Sequence, residues 1–194
     1  GDAAWYLYDS LSDTSTLVTH AWGNASAPIA ADFAKISANG EYVVFASVYS
    51  GFTDTDGGTT GDVFDDRDVY RYDVASGVNV LVSHLAGDPS TPSNFVSDYS
   101  LWISDDGRYV AFGLKPGHAT GVDSSVIEAS PVFTTFLYDF NSGSATLVSH
   151  QGASVSTTAG DSSEFFELSG DGQSVAWEFA GSGSVPGDAY TNSS

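Results

Sequence analysis

A threefold internal repeat constrains the fold of this 194-residue chain more than any other feature of its sequence. Three motifs recur in the same order at intervals of about 65 residues, as expected for one supersecondary unit repeated along the chain. The copies are a segment ending in Tyr-Asp at Asp9, Asp73 and Asp139, a Leu-Val-Ser/Thr-His segment ending at His20, His84 and His150, and a glycine turn that begins at Ser37, Ser104 and Ser169. Because one such unit cannot bury its own apolar face, the repeat predicts units that stack on each other.

Each unit contains four short segments that are typical of β-strands. A segment rich in aromatic residues ends at the repeated Asp, and a turn then leads into the Leu-Val segment. After a longer loop of Gly, Ser and Pro come two more segments, joined by a tight turn at Gly40, Gly107 and Gly172, where we expect a positive φ. No segment of helical length shows a 3.6-residue period. The sequence therefore predicts an all-β fold of twelve antiparallel strands in a single repeat domain, residues 1–194, with units at about 1–67, 68–131 and 132–194.

The composition excludes several functional classes. The chain has 25 Asp and Glu against 5 Lys and Arg, and its net charge of −20 argues against binding nucleic acid or anionic lipid. Cations or high salt are the natural counterparts of this charge, which suits a halophilic surface or calcium ligation. The chain has no cysteine, so it forms neither a disulfide framework nor a thiolate metal site. No run approaches the roughly 20 apolar residues of a transmembrane helix, so we expect no membrane-spanning segment.

Four-stranded units repeated with turn signals are typical of β-propeller blades. At the level of motifs the chain resembles bacterial TolB-type, WD-like propellers, whose blades carry the pattern Ser-x-Asp-Gly-Arg-Tyr-Val-Ala-Phe. Residues Ser104 to Phe112 match this pattern closely, and the other motifs follow in the expected order. The resemblance covers essentially the whole chain and implies a β-propeller fold, but it does not imply a function, because propellers serve as enzymes, scaffolds and receptors.

The phase of the repeat predicts two complete blades and a third that is split. In propellers similar to these, the glycine-turn hairpin forms the inner two strands of a blade and the other two segments form the outer pair. Here an outer pair comes first and an inner pair comes last, so two strand edges lack a neighbour, and such edges invite another chain. We expect self-association through Trp5, Tyr6, Leu7, Tyr8 and Asp9 in the outer pair and Val175, Ala176, Trp177, Glu178 and Phe179 in the inner pair. Two copies could close a six-bladed ring, whereas without closure the contact propagates as a filament. The alternative is a fragment of a longer array of repeats.

One acidic loop is a candidate calcium site. Asp54, Asp56, Asp62 and Asp65 lie in a glycine-rich stretch, and oxygen ligands at alternate positions can converge on one hard cation. The EF-hand pattern fails at its fifth, sixth and twelfth positions, so a solvated acidic loop is an equal alternative. A second, weaker set is Asp188, Asn192 and Asp2, which would meet only across the predicted junction.

Other candidate sites have better structural explanations. The three repeated histidines suggest zinc, but equivalent positions on different blades lie too far apart to share one ion, so we expect a structural role. A glycosidase would need paired carboxylates, for which Asp32, Glu164 and Glu167 are candidates, although solvation of a channel mouth is the better explanation for them. Trp22 and Trp102 could stack on sugars or pack within blades. No Gly-x-Ser-x-Gly elbow is present.

We therefore expect a non-enzymatic, secreted structural or adhesive protein that assembles head to tail with other copies of itself, with calcium as its ion. The alternative is a propeller module from a larger surface protein that binds a glycan or peptide. A weaker alternative is an enzyme that degrades polysaccharides.

Overall fold

The computed structural model describes residues 3–54, 67–93, 96–128, 132–150, 154, 156–159 and 166–178. Within them the fold is built of short strands and one helix of a single turn. In chain order they are β1 (Tyr6–Asp9), β2 (Thr14–Leu17), β3 (His20–Ala21), β4 (Asn24–Pro28), β5 (Phe33–Ile36), β6 (Tyr42–Ser47), β7 (Asp68–Asp73), β8 (Val78–Leu81), β9 (His84–Leu85), β10 (Asp88–Pro92), β11 (Val96–Ile103), β12 (Tyr109–Leu114), α1 (Ala119–Val122), β13 (Thr134–Asp139), β14 (Ser144–Leu147), β15 (Phe166–Leu168) and β16 (Val175–Trp177).

Two four-stranded antiparallel sheets form the centre of the fold. The first, sheet 1, has the order β5-β6-β7-β8, and the second, sheet 2, has the order β11-β12-β13-β14. Each sheet joins an inner hairpin to an outer hairpin from the next part of the chain, as the sequence predicts for a complete blade. The outer hairpin β1-β2 and the inner hairpin β15-β16 each form a two-stranded sheet among the described residues.

The second strand of the inner hairpin in each complete sheet, β6 or β12, is buried along nearly its whole length. In β6 and β12 every residue after the opening tyrosine is buried, so these strands read as continuous apolar runs rather than alternating ones. This pattern arises when both faces of a strand are covered, as they are when sheets stack face to face. One apolar core cluster centres on Phe112 and Phe136, and a second centres on Phe45, Phe52 and Tyr70.

The tight turns confirm the expected role of glycine. Gly40, Gly107 and Gly172 have φ values of 74, 74 and 72°, and each donates its backbone N–H to the carbonyl of the serine that opens the turn. A residue with a side chain is strained in this left-handed region, so glycine is the residue that fits.

The structure differs from the sequence prediction in the loops between repeats. Two short hairpins, β3-β4 and β9-β10, occupy segments that the sequence indicated only as Gly-, Ser- and Pro-rich loops. Each has an irregular register, and its second strand ends at a proline, which a strand at the edge of a sheet tolerates. The described residues therefore contain more strands than the twelve expected, although the twelve are all present with shifted ends.

Candidate self-association surface

The two-stranded sheet β1-β2 leaves exposed the same residues that are buried in the complete sheets. Two aromatic positions of the repeated Tyr-Asp segment show this contrast. The exposed fractions are 60% for Tyr6 and 59% for Tyr8 in the first copy, against 1% for Tyr70, 2% for Tyr72, 0% for Phe136 and 6% for Tyr138 at the matching positions. In sheets 1 and 2 an inner strand pairs with the corresponding strand edge, and histidine rings from the preceding part of the chain pack on Tyr72 and Tyr138.

Among the described residues one edge of β1 has no strand partner, and the hydrogen bonds of β1 identify which edge this is. Val18 donates its backbone N–H to the carbonyl of Trp5 at 2.9 Å, so Trp5 directs its backbone groups toward β2. Because these directions alternate along an antiparallel strand, Tyr6 and Tyr8 direct their N–H and C=O groups to the opposite side. That side is where β6 lies against β7 in sheet 1.

The hairpin is anchored to the rest of the fold through Trp5. The Trp5 indole donates its Nε1 proton to the carbonyl of Ala31 at 3.1 Å, and its backbone N–H donates to Thr19 Oγ1 at 2.9 Å. An apolar groove of about 200 Å³ lies beside it, between β1 and the inner strands of sheet 1, and its walls include Leu7 and Ile36. The open edge is therefore held in a defined place, which is a requirement for a docking surface.

The hairpin β15-β16 is also more exposed than the matching strands of the complete sheets. Val175 and Trp177 are half-buried, and Ala176 and Glu178 are exposed, although the matching residues of β6 and β12 are all buried. Phe179 lies outside the described residues. An outer hairpin of the β7-β8 type covers these positions in the complete sheets.

The complete sheets also define how the two half-sheets would pair. In sheet 2, Val110 is opposite Tyr138 and Ala111 is opposite Leu137, and sheet 1 has the same register, with Val43 opposite Tyr72. Transferring this register to the half-sheets places Val175 opposite Tyr8, Ala176 opposite Leu7, Trp177 opposite Tyr6 and Glu178 opposite Trp5.

The repeated aspartate at the end of each outer strand makes local contacts that differ between copies. Asp9 accepts hydrogen bonds from Ser12 Oγ at 2.6 Å and Leu11 N at 2.9 Å, which lower its pKa. Asp139 accepts two hydrogen bonds from Arg108, both 2.8 Å, and these lower the pKa of Asp139 and raise that of Arg108. Gln173 occupies the position of Arg108 in the last unit. The open half-sheets therefore lack the ion pair that links inner and outer strands in sheet 2.

The predicted calcium residues fall mostly outside the described residues. Asp56, Asp62 and Asp65, together with Asp188, Asn192 and Asp2, lie there, and Asp54 is described alone among them. Within the described ranges, no group of three or more His, Cys, Asp or Glu side chains could hold a metal ion. The calcium site stays a prediction.

The histidines have a place that the sequence did not indicate. His20 and His84 are buried and begin the short strands β3 and β9, rather than ending the outermost strand of a blade. Each ring meets a tyrosine of the following sheet edge-on. This role is structural, as expected, but the contact between sheets was missed because the sequence gives no information on which tyrosine lies opposite.

The candidate sugar-site residues are partly occupied by protein contacts. Asp32 accepts a 2.9 Å hydrogen bond from Arg67 in an ion pair, and the ammonium of Lys35 lies 3.5 Å from the ring centre of Trp102. Glu167 is exposed on β15, Trp22 is about half exposed, and Glu164 lies outside the described residues. These residues do not form a paired-carboxylate site within the part of the chain that is described.

Arg71, like Lys35, is a cation that links the two complete sheets. Arg71, on β7 of sheet 1, donates from Nη1 to the carbonyl of Gly107 in sheet 2 at 2.8 Å, and its guanidinium lies 3.3 Å from the ring centre of Phe140. Burial lowers the pKa of Arg71. The other repeats have Leu7 and Leu137 at this position, so a comparison of the repeats does not indicate a functional cation here.

The architecture defines the class of the fold. Antiparallel sheets that follow one another along the chain, with almost no helix, are of the β-propeller type. In the described part of the chain, no helix has the length and apolar character needed to cross a bilayer.

Comparisons with known proteins agree with this class and add no family. No protein-family model matches the sequence, and no similar curated protein was found. Among solved structures, the chain is similar to the tricorn protease, with a TM-score of 0.52 and 12% identity over 90% of this chain and 13% of that one. It is also similar to hydrazine synthase from Kuenenia stuttgartiensis, with a TM-score of 0.45 and 14% identity over 89% of this chain and 42% of that one. The similarity to the tricorn protease is consistent with a β-propeller-type fold, and the chain spans only a minor part of each of the two matched proteins.

Proposed function

We propose that this chain is a non-enzymatic structural protein that associates with other copies of itself by completing a split propeller blade. Strand β16 of one copy pairs with strand β1 of the next, so that the hairpins β15-β16 and β1-β2 together form a third four-stranded sheet. The observation that carries the proposal is the exposure of Tyr6 and Tyr8 at positions where both complete sheets bury the matching ring.

Two further features support this pairing over a general exposed patch. An unpaired strand edge is a template for another strand, and the open edges of β1 and β16 correspond to the two sides of one pairing in sheets 1 and 2. The two complete sheets also share a backbone contact that the proposed junction would repeat. Val74 donates to the carbonyl of Glu41 at 3.0 Å, and Phe140 donates to that of Arg108 at 3.1 Å. The matching contact would join Ser10 of one copy to Gln173 of the next.

The outcome of repeated pairing depends on geometry. Each copy would contribute three sheets, so two copies would give a ring of six, within the usual range of about four to eight blades. If the angle between successive sheets does not close the ring, the same contact adds copies without end and produces a filament.

The register provides a direct test. Leu7 and Ala176 are predicted to form a non-hydrogen-bonded pair, whose Cα atoms lie about 4.5 Å apart, within the range that a disulfide can bridge. The chain has no cysteine of its own. Mixing Leu7→Cys with Ala176→Cys under mild oxidation should therefore give a covalent dimer that contains one copy of each variant. Leu7→Cys mixed with Val175→Cys is the matched control, because a shift of one residue turns the side chain to the other face.

Sedimentation velocity of the 194-residue protein measures the association itself. Burying the remaining surface of the two tyrosine rings is worth about 2 kcal/mol, so the double variant Tyr6→Ser, Tyr8→Ser should associate about 30-fold more weakly. Leu11→Ser removes another exposed apolar side chain of the same hairpin, outside the predicted register, and should have little effect. A wild-type protein that stays monomeric at high concentration, or equal disulfide yields from the two mixtures, would refute the proposal. Negative-stain microscopy then distinguishes rings from filaments.

A further inference from the structure

A histidine from each of the first two repeats packs against a tyrosine of the following sheet. The rings of His20 and Tyr72 are 5.8 Å apart at an angle of 87°, and those of His84 and Tyr138 are 5.5 Å apart at 86°. His84 Nε2 also lies 3.3 Å from the hydroxyl of Tyr138. The contact is therefore a repeated link between neighbouring sheets, in addition to strand pairing.

The third histidine has the same backbone position. His20 and His150 donate their backbone N–H to the carbonyls of Val18 and Val148, at 3.1 and 2.9 Å. In the first two copies, histidine Nδ1 lies within 3.0 Å of the carbonyl of the next residue, whereas Nδ1 of His150 is buried without a hydrogen-bond partner. The backbone of His150 is thus placed as that of His20, and its ring differs in having a buried Nδ1 without a hydrogen-bond partner.

The tyrosine that matches Tyr72 and Tyr138 in the remaining copy of the motif is Tyr8. It is 59% exposed, and its hydroxyl is hydrogen-bonded to Asp13 at the surface of the hairpin. In the assembly, the sheet that follows sheet 2 would be completed by β1-β2 of the next copy, which places this Tyr8 where Tyr138 lies relative to His84.

We infer that His150 of one copy packs edge-on against Tyr8 of a second copy, so that the association surface includes a histidine–tyrosine contact beyond the strand pair. The inference rests on the proposed self-association and names one of its contacts. It assigns the two residues to opposite sides of the junction, and it excludes His20 and His84, whose tyrosines belong to the same chain.

A double-mutant cycle on the association constant tests this contact. Edge-to-face aromatic pairs are worth roughly a 2- to 13-fold change in an association constant, so His150→Ala and Tyr8→Ala should each weaken association, and Tyr8→Ala more strongly. His150→Ala should lower the association constant less in the Tyr8→Ala background than it does in the wild type, because its partner ring is already absent. The matched cycle of Tyr8→Ala with His84→Ala should be additive, because His84 contacts Tyr138 instead.

Side-chain NMR gives a second measurement that does not require a substitution at His150. The chain has 4 histidines, so their ring signals are readily resolved. As concentration rises, the signal of His150 should shift through the ring current of Tyr8 and those of His20 and His84 should not, and Tyr8→Leu should abolish the shift.

The outcomes separate this inference from the proposal on which it rests. If the wild type associates but His150 and Tyr8 act additively and the His150 signal is unmoved, the contact is wrong while self-association stands. If the wild type does not associate, both are wrong. Coupling between His150 and Tyr8, together with the shift, supports both.

Discussion

The packing between sheets 1 and 2 can be tested with a pair of glycines that differ in one respect. Gly40 and Gly107 hold the same place in the same turn, and both have a φ of 74°. A Cβ atom added at Gly40 would meet nothing within 4 Å, whereas one added at Gly107 would lie 2.0 Å from Cδ2 of Tyr42 and 2.6 Å from its Cγ. Alanine at either site costs the same backbone strain, so the difference between the two variants isolates the contact between sheets.

The magnitudes follow from these two terms. An L-residue in the left-handed region costs about 1–2 kcal/mol, which both variants share. Only Gly107→Ala must also displace the tyrosine ring, and overpacking of this kind costs about 1–3 kcal/mol. For a protein of this size 1 kcal/mol corresponds to about 2–4 °C, so Gly107→Ala should melt about 2–12 °C below Gly40→Ala.

The assay is thermal unfolding followed by circular dichroism. The Tyr6→Ser, Tyr8→Ser background, measured at low protein concentration, reduces the contribution of self-association. Adding Tyr42→Ala to each glycine variant provides the internal control, because without the ring Gly107→Ala should cost no more than Gly40→Ala. Equal melting temperatures for the two glycine variants, or an unchanged gap after Tyr42→Ala, would refute the reasoning.

Three more predictions concern single features. Ser174 occupies the position that Tyr42 and Tyr109 have in the complete sheets, and in the assembly it would face Gly40 of the next copy. Ser174→Tyr should therefore strengthen association several-fold, as measured by sedimentation velocity. An unchanged association constant would contradict the predicted order of sheets. Arg108 lowers the pKa of Asp139, so the stability that this ion pair contributes is complete above the ordinary pKa of 3.8 and is lost as the pH falls through the folded-state pKa. Asp139→Asn should therefore reduce the melting temperature at pH 7. A difference in melting temperature between variant and wild type that does not shrink below pH 3.8 would contradict this. Millimolar calcium should raise the melting temperature through the acidic loop at 54–65 if the loop ligates the ion, and an effect matched by equal magnesium would indicate charge screening instead.

The twelve main strands could be predicted from the sequence because each strand motif occurs in three copies. The Tyr-Asp segment, the glycine turn and the apolar run after it recur together, and β1, β7 and β13 lie where the repeated Asp indicates. The short strands β3 and β9 escaped prediction because a two-residue strand has no periodicity to detect.

The sequence suggested where a self-association surface could lie, but not which contacts it would make. The phase of the repeat indicated which strand edges would be open, and the exposure of Tyr6 and Tyr8 agrees with it. The pairing of each histidine with a tyrosine more than fifty residues away was not predictable, because stacking of sheets sets it rather than local spacing. Arg71 was hidden for the same reason, since the other repeats have leucine there.

Arg71 has a mechanical consequence for any assembly of this chain. Its guanidinium fastens sheet 1 to sheet 2 through the carbonyl of Gly107 and the ring of Phe140, and no equivalent cation follows at Leu7 or Leu137. Successive joints would therefore differ in stiffness, with one rigid joint in every three. A ring or filament of such copies would bend at regular intervals, at the contacts between sheets where the repeat has leucine in place of arginine.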